Sequence, residues 1–176
     1  MSAEAVRAWV ATHAPDLPII EVEGSTATVD TAAEALGVAP GRIAKTLAIR
    51  VGEQVVLLVA RGDARLDNRK CKNELGGRPR MLDADATFEL TGHRVGGVCP
   101  FGLKTELPVY LDVSLQAFDI VYPAGGSLNT SVEVPTGRLF DLVAERWVDL
   151  CRLPEEPGGA DVLGGDVSGR PGLLEN

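Results

Sequence analysis

The chain opens with a helical pattern of apolar positions. Four residues share the spacing i, i+3, i+4 and i+7 of one helix face: Val6, Trp9, Val10 and His13. This spacing predicts an amphipathic first helix, and Pro15 should terminate it. A short extended segment then follows at residues 19–22.

A second helix is predicted from capping residues. Thr31 and Glu34 have the spacing of a capping box, so a short helix should begin at Thr31. Gly37 is suited to end that helix in a left-handed conformation. The sequence Ala39-Pro40-Gly41 then predicts a turn.

The strongest strand signal lies in the middle of the chain. Residues 45–51 and 54–61 are rich in valine, leucine and isoleucine, and only Gly52-Glu53 separates them. Such a pair predicts a β-hairpin, and its second strand is apolar enough to be central in a sheet.

The remaining segments alternate between helices, loops and short strands. Asp67 predicts the cap of a helix that continues to Leu75 and ends at Gly76-Gly77. Residues 91–102 contain four glycines and one proline, which predicts a shaped loop. Strands are predicted at 109–112, 119–122 and 128–134, and a helix at 136–145 with three inward residues, Leu139, Leu142 and Val143.

This pattern predicts an α/β or α+β fold in which short helices pack around a mixed, mainly antiparallel sheet. We expect a single domain over residues 1–152. Residues 153–176 are rich in glycine, proline and acids and have little periodicity. Such a segment is expected to be a flexible tail, because it has little apolar surface with which to offset its ordering entropy.

Composition narrows the class of protein. Hydrophobic residues make up 45% and charged residues 24% of the 176 positions, which is typical of soluble globular domains. Neither a membrane-spanning run nor a signal peptide is apparent, so we expect a cytoplasmic protein without a membrane partner. The three cysteines are widely spaced and are expected to be reduced thiols.

The net charge of −8 argues against strong non-specific binding to nucleic acid, which requires neutralisation of phosphates. Five acidic residues and one arginine lie in the predicted tail, so half of this charge lies outside the domain. A protein that contacts only a few phosphates needs no broad basic face.

Lys45 is the first candidate for chemistry. It opens the first predicted hairpin strand, so its ammonium should lie at the mouth of the sheet. There it could donate hydrogen bonds to a phosphate or to a hydroxyl beside a reacting carbonyl. An ordinary exposed lysine is the alternative.

The glycine-rich loop is the second candidate. Gly96 and Gly97 can adopt unusual backbone angles, so neighbouring N–H groups can converge on an anion or a developing oxyanion. A structural turn is the alternative interpretation. The loop matches neither a P-loop nor the dinucleotide-binding fingerprint.

A thiol nucleophile and a metal site are less favoured. His93 could lower the pKa of the Cys99 thiol, but nothing nearby would orient the imidazole as in a catalytic triad. A small, partly buried thiol is the preferred interpretation. The cysteines and histidines contain no close ligand pair, so we predict neither a metal nor another cofactor.

A second turn contains Gly125-Gly126-Ser127 and leads into a strand with short polar side chains. These groups could line a hydrophilic pocket, although a hairpin turn explains them equally well.

Taken in order, these segments resemble the YbaK/prolyl-tRNA-synthetase-associated domain family over roughly residues 27–150. The ordered combination is more specific than any single segment. It consists of Ile43-Ala44-Lys45-Thr46-Leu47, Arg61-Gly62-Asp63, Thr91-Gly92-His93, Gly96-Gly97-Val98-Cys99-Pro100-Phe101-Gly102, Val109-Tyr110-Leu111-Asp112 and Ala124-Gly125-Gly126-Ser127.

The resemblance implies a function. Members of the family hydrolyse the ester between a mischarged amino acid and the terminal adenosine of a transfer RNA, often the one for proline. The family's lysine falls on Lys45, and its glycine-x-x-x-proline loop falls on residues 96–100. Lys45, Gly96 and Gly97 are therefore the expected catalytic residues. The expected substrate-binding residues are His93, Val98, Cys99, Pro100, Phe101, Asp112, Gly125, Gly126 and Ser127.

The resemblance also explains the absence of a convincing acid–base group, because the substrate's ribose hydroxyl assists in deprotonating the water. Asp112 could support the site from behind or could simply cap a strand end. The expected partner is aminoacyl-tRNA, either alone or together with an aminoacyl-tRNA synthetase. A different class of function is a non-catalytic module that holds an aminoacyl adenosine, a nucleotide or a synthetase surface.

Overall fold

The computed structural model describes residues 2–154, and these form helices and short strands in alternation. The helices are α1 Ser2–His13, α2 Val29–Leu36, α3 Asn68–Leu75, α4 Ala84–Thr91 and α5 Thr136–Val143. The strands are β1 Ile19–Glu21, β2 Ile43–Val51, β3 Gln54–Arg61, β4 Arg65–Leu66, β5 Arg80–Met81, β6 Val109–Asp112, β7 Ile120–Pro123, β8 Thr130–Val132, β9 Val134–Pro135, β10 Arg146–Val148 and β11 Cys151–Arg152.

The main sheet is mixed, which confirms the predicted fold class. Its strand order is β10-β6-β3-β2-β7-β9, and β5 also pairs with β2. The β2–β3, β2–β5 and β7–β9 pairs are antiparallel, whereas β3–β6, β6–β10 and β2–β7 are parallel. Apolar side chains cover both faces of the sheet, with α1 and α5 on one face and α3 on the other.

The predicted hairpin is the centre of this sheet. β3 is buried along most of its length, and Gly52 makes the connecting turn with a φ of 61°. β2 begins at Ile43, two residues earlier than predicted. Lys45 therefore lies within the strand, opposite Ala60, and the prediction that it opens the strand was wrong. β2 begins earlier because its first two residues, Ile43 and Ala44, pair with β7.

Capping residues determine where the helices begin and end. The capping box predicted Thr31 as the N-cap of α2, which was wrong by three residues. The N-cap is Thr28, which exchanges hydrogen bonds with Thr31. Gly37 ends this helix with a φ of 71°, as predicted. Asp67 accepts from the Lys70 amide and caps α3, which confirms that prediction.

Two features of the second half differ from the sequence-based expectation. Helix α4 was not predicted, although Asp83 caps its first turn and Gly92 ends it. The segment predicted as one strand at 128–134 forms β8 and β9, which separate at Glu133. They separate because β8 pairs with β1 whereas β9 pairs with β7.

Part of the predicted tail lies outside the described residues, from position 155 onward. The domain boundary near residue 152 remains a prediction. Within residues 2–154, none of the helices combines the length and apolar character required to cross a bilayer.

Candidate functional site

A cavity lies where one edge of β2 has no strand partner. β7 pairs with β2 only at Ile43 and Ala44, and β5 pairs with it only at Ile49 and Arg50. The cavity between these two pairings measures about 210 Å³. It is smaller than the usual site for a drug-sized ligand, and its size suits a single small group.

Several elements contribute walls to this cavity. Residues 26–29 and α2 form one side, and the glycine-rich loop, β5, β7 and β8 complete it. Lys45 is the charged side chain among the described lining residues. The polar or backbone groups that matter most for chemistry come from Lys45, Thr46, Gly96, Val98, Tyr122 and Ser131.

Lys45 borders the cavity from within β2, and its ammonium donates a hydrogen bond to the carbonyl oxygen of Ala64. An ammonium carries three hydrogens, so two others can serve a ligand. Burial lowers the pKa of Lys45 from its ordinary value, and the nearby Asp63 carboxylate acts in the opposite direction. The side chain is thus a partly desolvated cation beside a small cavity.

The two central glycines of the loop have different positions. Gly96 lines the cavity and has a φ of 98°, in the left-handed region that favours glycine. Gly97 is buried behind it, and its N–H donates to the carbonyl oxygen of Arg94 at 2.9 Å. A turn already uses that amide, and donation by Gly97 to the substrate stays a prediction.

His93, predicted to bind substrate, is a buried core histidine. Its ring nitrogens contact the hydroxyl of Ser2 and the carbonyl oxygen of Phe101, the latter at 2.8 Å. Burial lowers its pKa from the ordinary value, and the Phe101 hydrogen bond acts in the opposite direction. The ring points into the core and does not line the cavity, and its contact with substrate stays a prediction.

Cys99 is also buried, with its Sγ atom 3.6 Å from Nε2 of His93. Burial raises the pKa of the Cys99 thiol to about 12, so it is protonated at neutral pH and unsuited to be a nucleophile. Pro100 and Phe101 are buried with it, and none of the three lines the cavity. Their contact with substrate stays a prediction, whereas Val98 does line the cavity.

We expect Cys99→Ser to retain deacylase activity within about twofold of the unmodified protein, because the thiol is buried away from the cavity. Its melting temperature should fall, since a hydroxyl replaces a small apolar group in the core. Deacylation kinetics and thermal unfolding of the same preparation separate the two effects. A loss of activity without a loss of stability would show that the thiol takes part in the chemistry.

The second glycine-rich turn packs behind the first one. A Cβ at Gly97 would lie 2.9 Å from the carbonyl carbon of Gly126, so the two turns are in close contact. The Ser127 hydroxyl lies 2.7 Å from that of Thr130, and the Gly125 amide donates to the Thr130 carbonyl oxygen. Gly125, Gly126 and Ser127 thus form a turn with its own hydrogen bonds, and their substrate-binding role stays a prediction.

Asp112 is a buried strand-end group. Its carboxylate accepts from the Leu150 amide at 2.7 Å and from the Ser114 amide at 3.0 Å. It does not line the cavity. These hydrogen bonds support the strand-end cap, and the contact of Asp112 with substrate stays a prediction.

The first turn of α1 holds both glycine-rich turns from behind. A Cβ at Gly102 would lie 2.7 Å from the carbonyl oxygen of Ala5, and one at Gly126 would lie 2.8 Å from that of Ser2. Ser2 also bonds to His93. The loop that borders the cavity is thus supported by the beginning of the chain.

The sequence analysis missed several lining residues. Ser131 is buried and lies at the end of the polar turn that drew attention to this region. Thr46 directly follows Lys45, but nothing in the local pattern indicated that it lines a cavity. The sequence around Tyr122 and residues 26–29 did not indicate a site, because these residues come close to β2 only in the folded protein.

Metal chemistry has no obvious location in the described part of the chain. Among residues 2–154, no group of three or more histidine, cysteine or carboxylate side chains is arranged to hold a metal ion.

Comparison with known proteins identifies the family. The family model for the aminoacyl-tRNA editing domain matches residues 23–142. The uncharacterized protein YwhH of Bacillus subtilis (strain 168) is 44% identical over 154 residues, which cover 86% of this chain and 98% of that protein. The "Putative Cys-tRNA(Pro)/Cys-tRNA(Cys) deacylase EbsC" of Enterococcus faecalis is 28% identical, covering 70% of this chain and 76% of that protein.

Solved structures agree with this result. The structure of "a putative trans-editing enzyme for prolyl tRNA synthetase" superposes with a TM-score of 0.79 at 33% identity. The match covers 86% of this chain and 97% of that one. The family match covers the cavity and both glycine-rich turns, and we conclude that the chain belongs to the aminoacyl-tRNA editing domain family.

Proposed function

We propose that this protein hydrolyses the ester bond of mischarged aminoacyl-tRNA, with a transfer RNA for proline as the first candidate substrate. The observation that carries the proposal is the small cavity that both Lys45 and Gly96 line, at the open edge of β2. The names of the relatives EbsC and the trans-editing enzyme support the same reaction class.

The chemistry requires few groups. Ester hydrolysis needs a stabilised oxyanion and a positioned water, and backbone amides together with one cation can supply the first. Gly96 and Val98 bring backbone to the cavity wall, and Lys45 brings the cation. His93 and Cys99 are buried, and the family resemblance assigns part of the deprotonation of the water to the ribose hydroxyl of the substrate.

The size of the cavity indicates which part of the substrate lies inside it and which part lies outside. A volume of about 210 Å³ accommodates a small aminoacyl group, whereas the terminal adenosine stays at the mouth. Two exposed apolar side chains border that mouth: Met81, 58% exposed, and Val95, 63% exposed. They provide a surface against which a nucleobase can lie, which favours an adenosine outside and an amino acid inside.

A pair of arginines lies beside Met81 and suits the RNA backbone. Arg50 and Arg80 are exposed and directly opposite each other in the β2–β5 pair, where like charges repel. No carboxylate among residues 2–154 forms an ion pair with either of them. Phosphates at the acceptor end of the transfer RNA would neutralise this repulsion. Such local binding is compatible with the net charge of −8 of the whole chain.

We expect Arg50→Ala and Arg80→Ala each to raise KM for aminoacyl-tRNA. The slope of log kcat/KM against log salt should become shallower by about one for each phosphate that the variant no longer neutralises. Arg69→Ala, at an exposed position on α3, is the matched control and should change neither. Equal effects in all three variants would indicate a general loss of charge and not a binding surface.

A panel of mischarged transfer RNAs tests the proposed reaction. The alanyl, seryl, threonyl and cysteinyl esters of transfer RNA for proline are each incubated with the protein, with and without a chelator. We expect at least one ester to be hydrolysed faster than its spontaneous rate, to the same extent in both conditions. Tight binding of an aminoacyl-adenosine analogue without turnover of any ester would instead support a non-catalytic module.

A further inference from the structure

Strand alternation shows which backbone groups of β2 face the cavity. The Ala48 carbonyl oxygen accepts from the Leu82 amide at 3.0 Å, so the backbone groups of Ala48 point to the open edge. The direction reverses at each successive residue of a strand. Thr46 therefore also faces the open edge, whereas Lys45 and Leu47 face β3.

The neighbouring strand gives the same result independently. The Leu57 amide of β3 donates to the Pro108 carbonyl oxygen at 2.9 Å, on the side of β6. Leu58 consequently directs its backbone groups to β2, where it lies opposite Leu47. The N–H and carbonyl of Thr46 thus have no partner on β3 and point into the gap between β5 and β7.

Thr46 also has a polar side-chain atom without a partner. Its Oγ1 is the buried side-chain oxygen or nitrogen in residues 2–154 that makes no hydrogen bond. Neither β5 nor β7 pairs with Thr46, and no turn or loop hydrogen bond within those residues reaches its backbone N–H or carbonyl. Buried polar groups are normally satisfied, so a buried hydroxyl without a partner, beside an unpaired backbone donor and acceptor that line the same cavity, indicates a ligand.

The arrangement of these groups specifies the ligand. The N–H and C=O of one residue at a strand edge can form two hydrogen bonds with another extended residue. The N–H donates to the C=O of that residue, and the C=O accepts from its N–H. Between the two pairings, Lys45 and Leu47 face β3 and the Ala48 carbonyl already accepts from Leu82. Thr46 is therefore left with one donor and one acceptor, which suit one docked residue. An aminoacyl ester has both groups in that relation, a carbonyl oxygen and an α-amino N–H.

We propose that the aminoacyl group of the substrate docks on the open edge of β2 as a one-residue strand. The Thr46 N–H donates to the ester carbonyl oxygen, and the Thr46 carbonyl accepts from the α-amino group, beside the buried hydroxyl. This inference rests on the proposed deacylase function. It adds the recognition of the α-amino group, which the protein uses to position the ester.

Amide hydrogen exchange tests the docking directly. The probe is 3′-amino-3′-deoxyadenosine carrying, through a stable amide, the amino acid that the panel identifies, or alanine if the panel identifies none. We expect exchange at the Thr46 amide to slow at least about tenfold on binding, whereas Lys45 and Leu47 stay protected in both states because β3 already bonds them. Binding that shifts the Gly96 resonance but leaves Thr46 exchange unchanged would overturn the inference.

A substrate lacking the α-amino group tests the second hydrogen bond. The propionyl ester of the same transfer RNA is compared with the alanyl ester, each rate divided by the spontaneous hydrolysis rate of that ester. We expect this ratio to fall at least about tenfold for the propionyl ester. Equal ratios would overturn the inference and leave the deacylase function standing, whereas failure of every ester in the panel would remove the function itself.

Thr46→Val separates the side chain from the backbone of the same residue. Valine keeps the branched shape and removes only the hydroxyl, so the backbone groups remain in place. We expect a smaller decrease in kcat/KM than removal of the α-amino group causes, with continued discrimination against the propionyl ester. A variant that treats both esters alike would show that the hydroxyl and not the strand edge recognises the amine, which would overturn the inference.

Discussion

Replacement of Lys45 by alanine is expected to lower kcat/KM for deacylation by about 10²–10³, the usual cost of losing one well-placed transition-state donor. Lys45 lines the cavity and its ammonium is partly desolvated, so its charge acts more strongly than in water. The fold should persist, because the ammonium makes a single hydrogen bond to the Ala64 carbonyl oxygen. Kinetics on the best ester of the panel and thermal unfolding measure the two properties separately.

Two variants serve as controls for this result. Lys45→Met keeps most of the aliphatic stem and removes only the charge, so it should lose as much activity as Lys45→Ala and retain more stability. Lys72→Ala removes an exposed lysine of α3, and it should match the unmodified protein. A Lys45→Ala protein within about twofold of the unmodified rate on every ester would contradict the proposed site.

The second large effect is expected at the two loop glycines, where the same substitution should have different consequences. Gly96→Ala should lower kcat more than it raises KM, because a φ of 98° is strained for alanine and the shifted backbone lines the cavity. Gly97→Ala should chiefly lower the melting temperature, since the new Cβ would lie 2.9 Å from the backbone of Gly126. Steady-state kinetics and unfolding of both variants distinguish the two roles.

A second-site variant refines this comparison. A Cβ at Gly96 would lie 2.7 Å from Cδ2 of Leu128, an exposed side chain that Leu128→Ala removes. We expect the double variant to recover stability and to remain slow, since the backbone strain persists. Full recovery of kcat in the double variant would indicate that the clash alone was responsible and that Gly96 makes no contribution to the chemistry.

Local patterns predicted those elements that depend on nearby residues. The hairpin, the cap at Asp67 and the end of α2 at Gly37 follow from composition and turn chemistry, and the structure confirms them. The start of α2 was wrong because Thr28 and Thr31 are both good caps, and they bond to each other. Helix α4 has a weak apolar pattern, so only its packing identifies it.

The site could be predicted only in part. Lys45, Gly96 and Val98 line the cavity, as the family resemblance implies for the lysine and the loop. Sequence cannot indicate which side of a glycine-rich loop faces a cavity, and for that reason the burial of His93 and Cys99 away from the cavity could not be predicted. The open edge at Thr46 depends on where two distant strands pair with β2, which no local pattern contains.

The support that α1 gives to both glycine-rich turns has a kinetic consequence. Ser2 bonds to His93 across 91 residues of chain, and contacts of such long range must overcome a large loop-closure entropy. Hairpin contacts between adjacent strands form over short range and precede them. In refolding from denaturant, we expect backbone circular dichroism to recover before the proposed deacylation does, because the glycine-rich loop acquires its shape only when the first turn of α1 has docked.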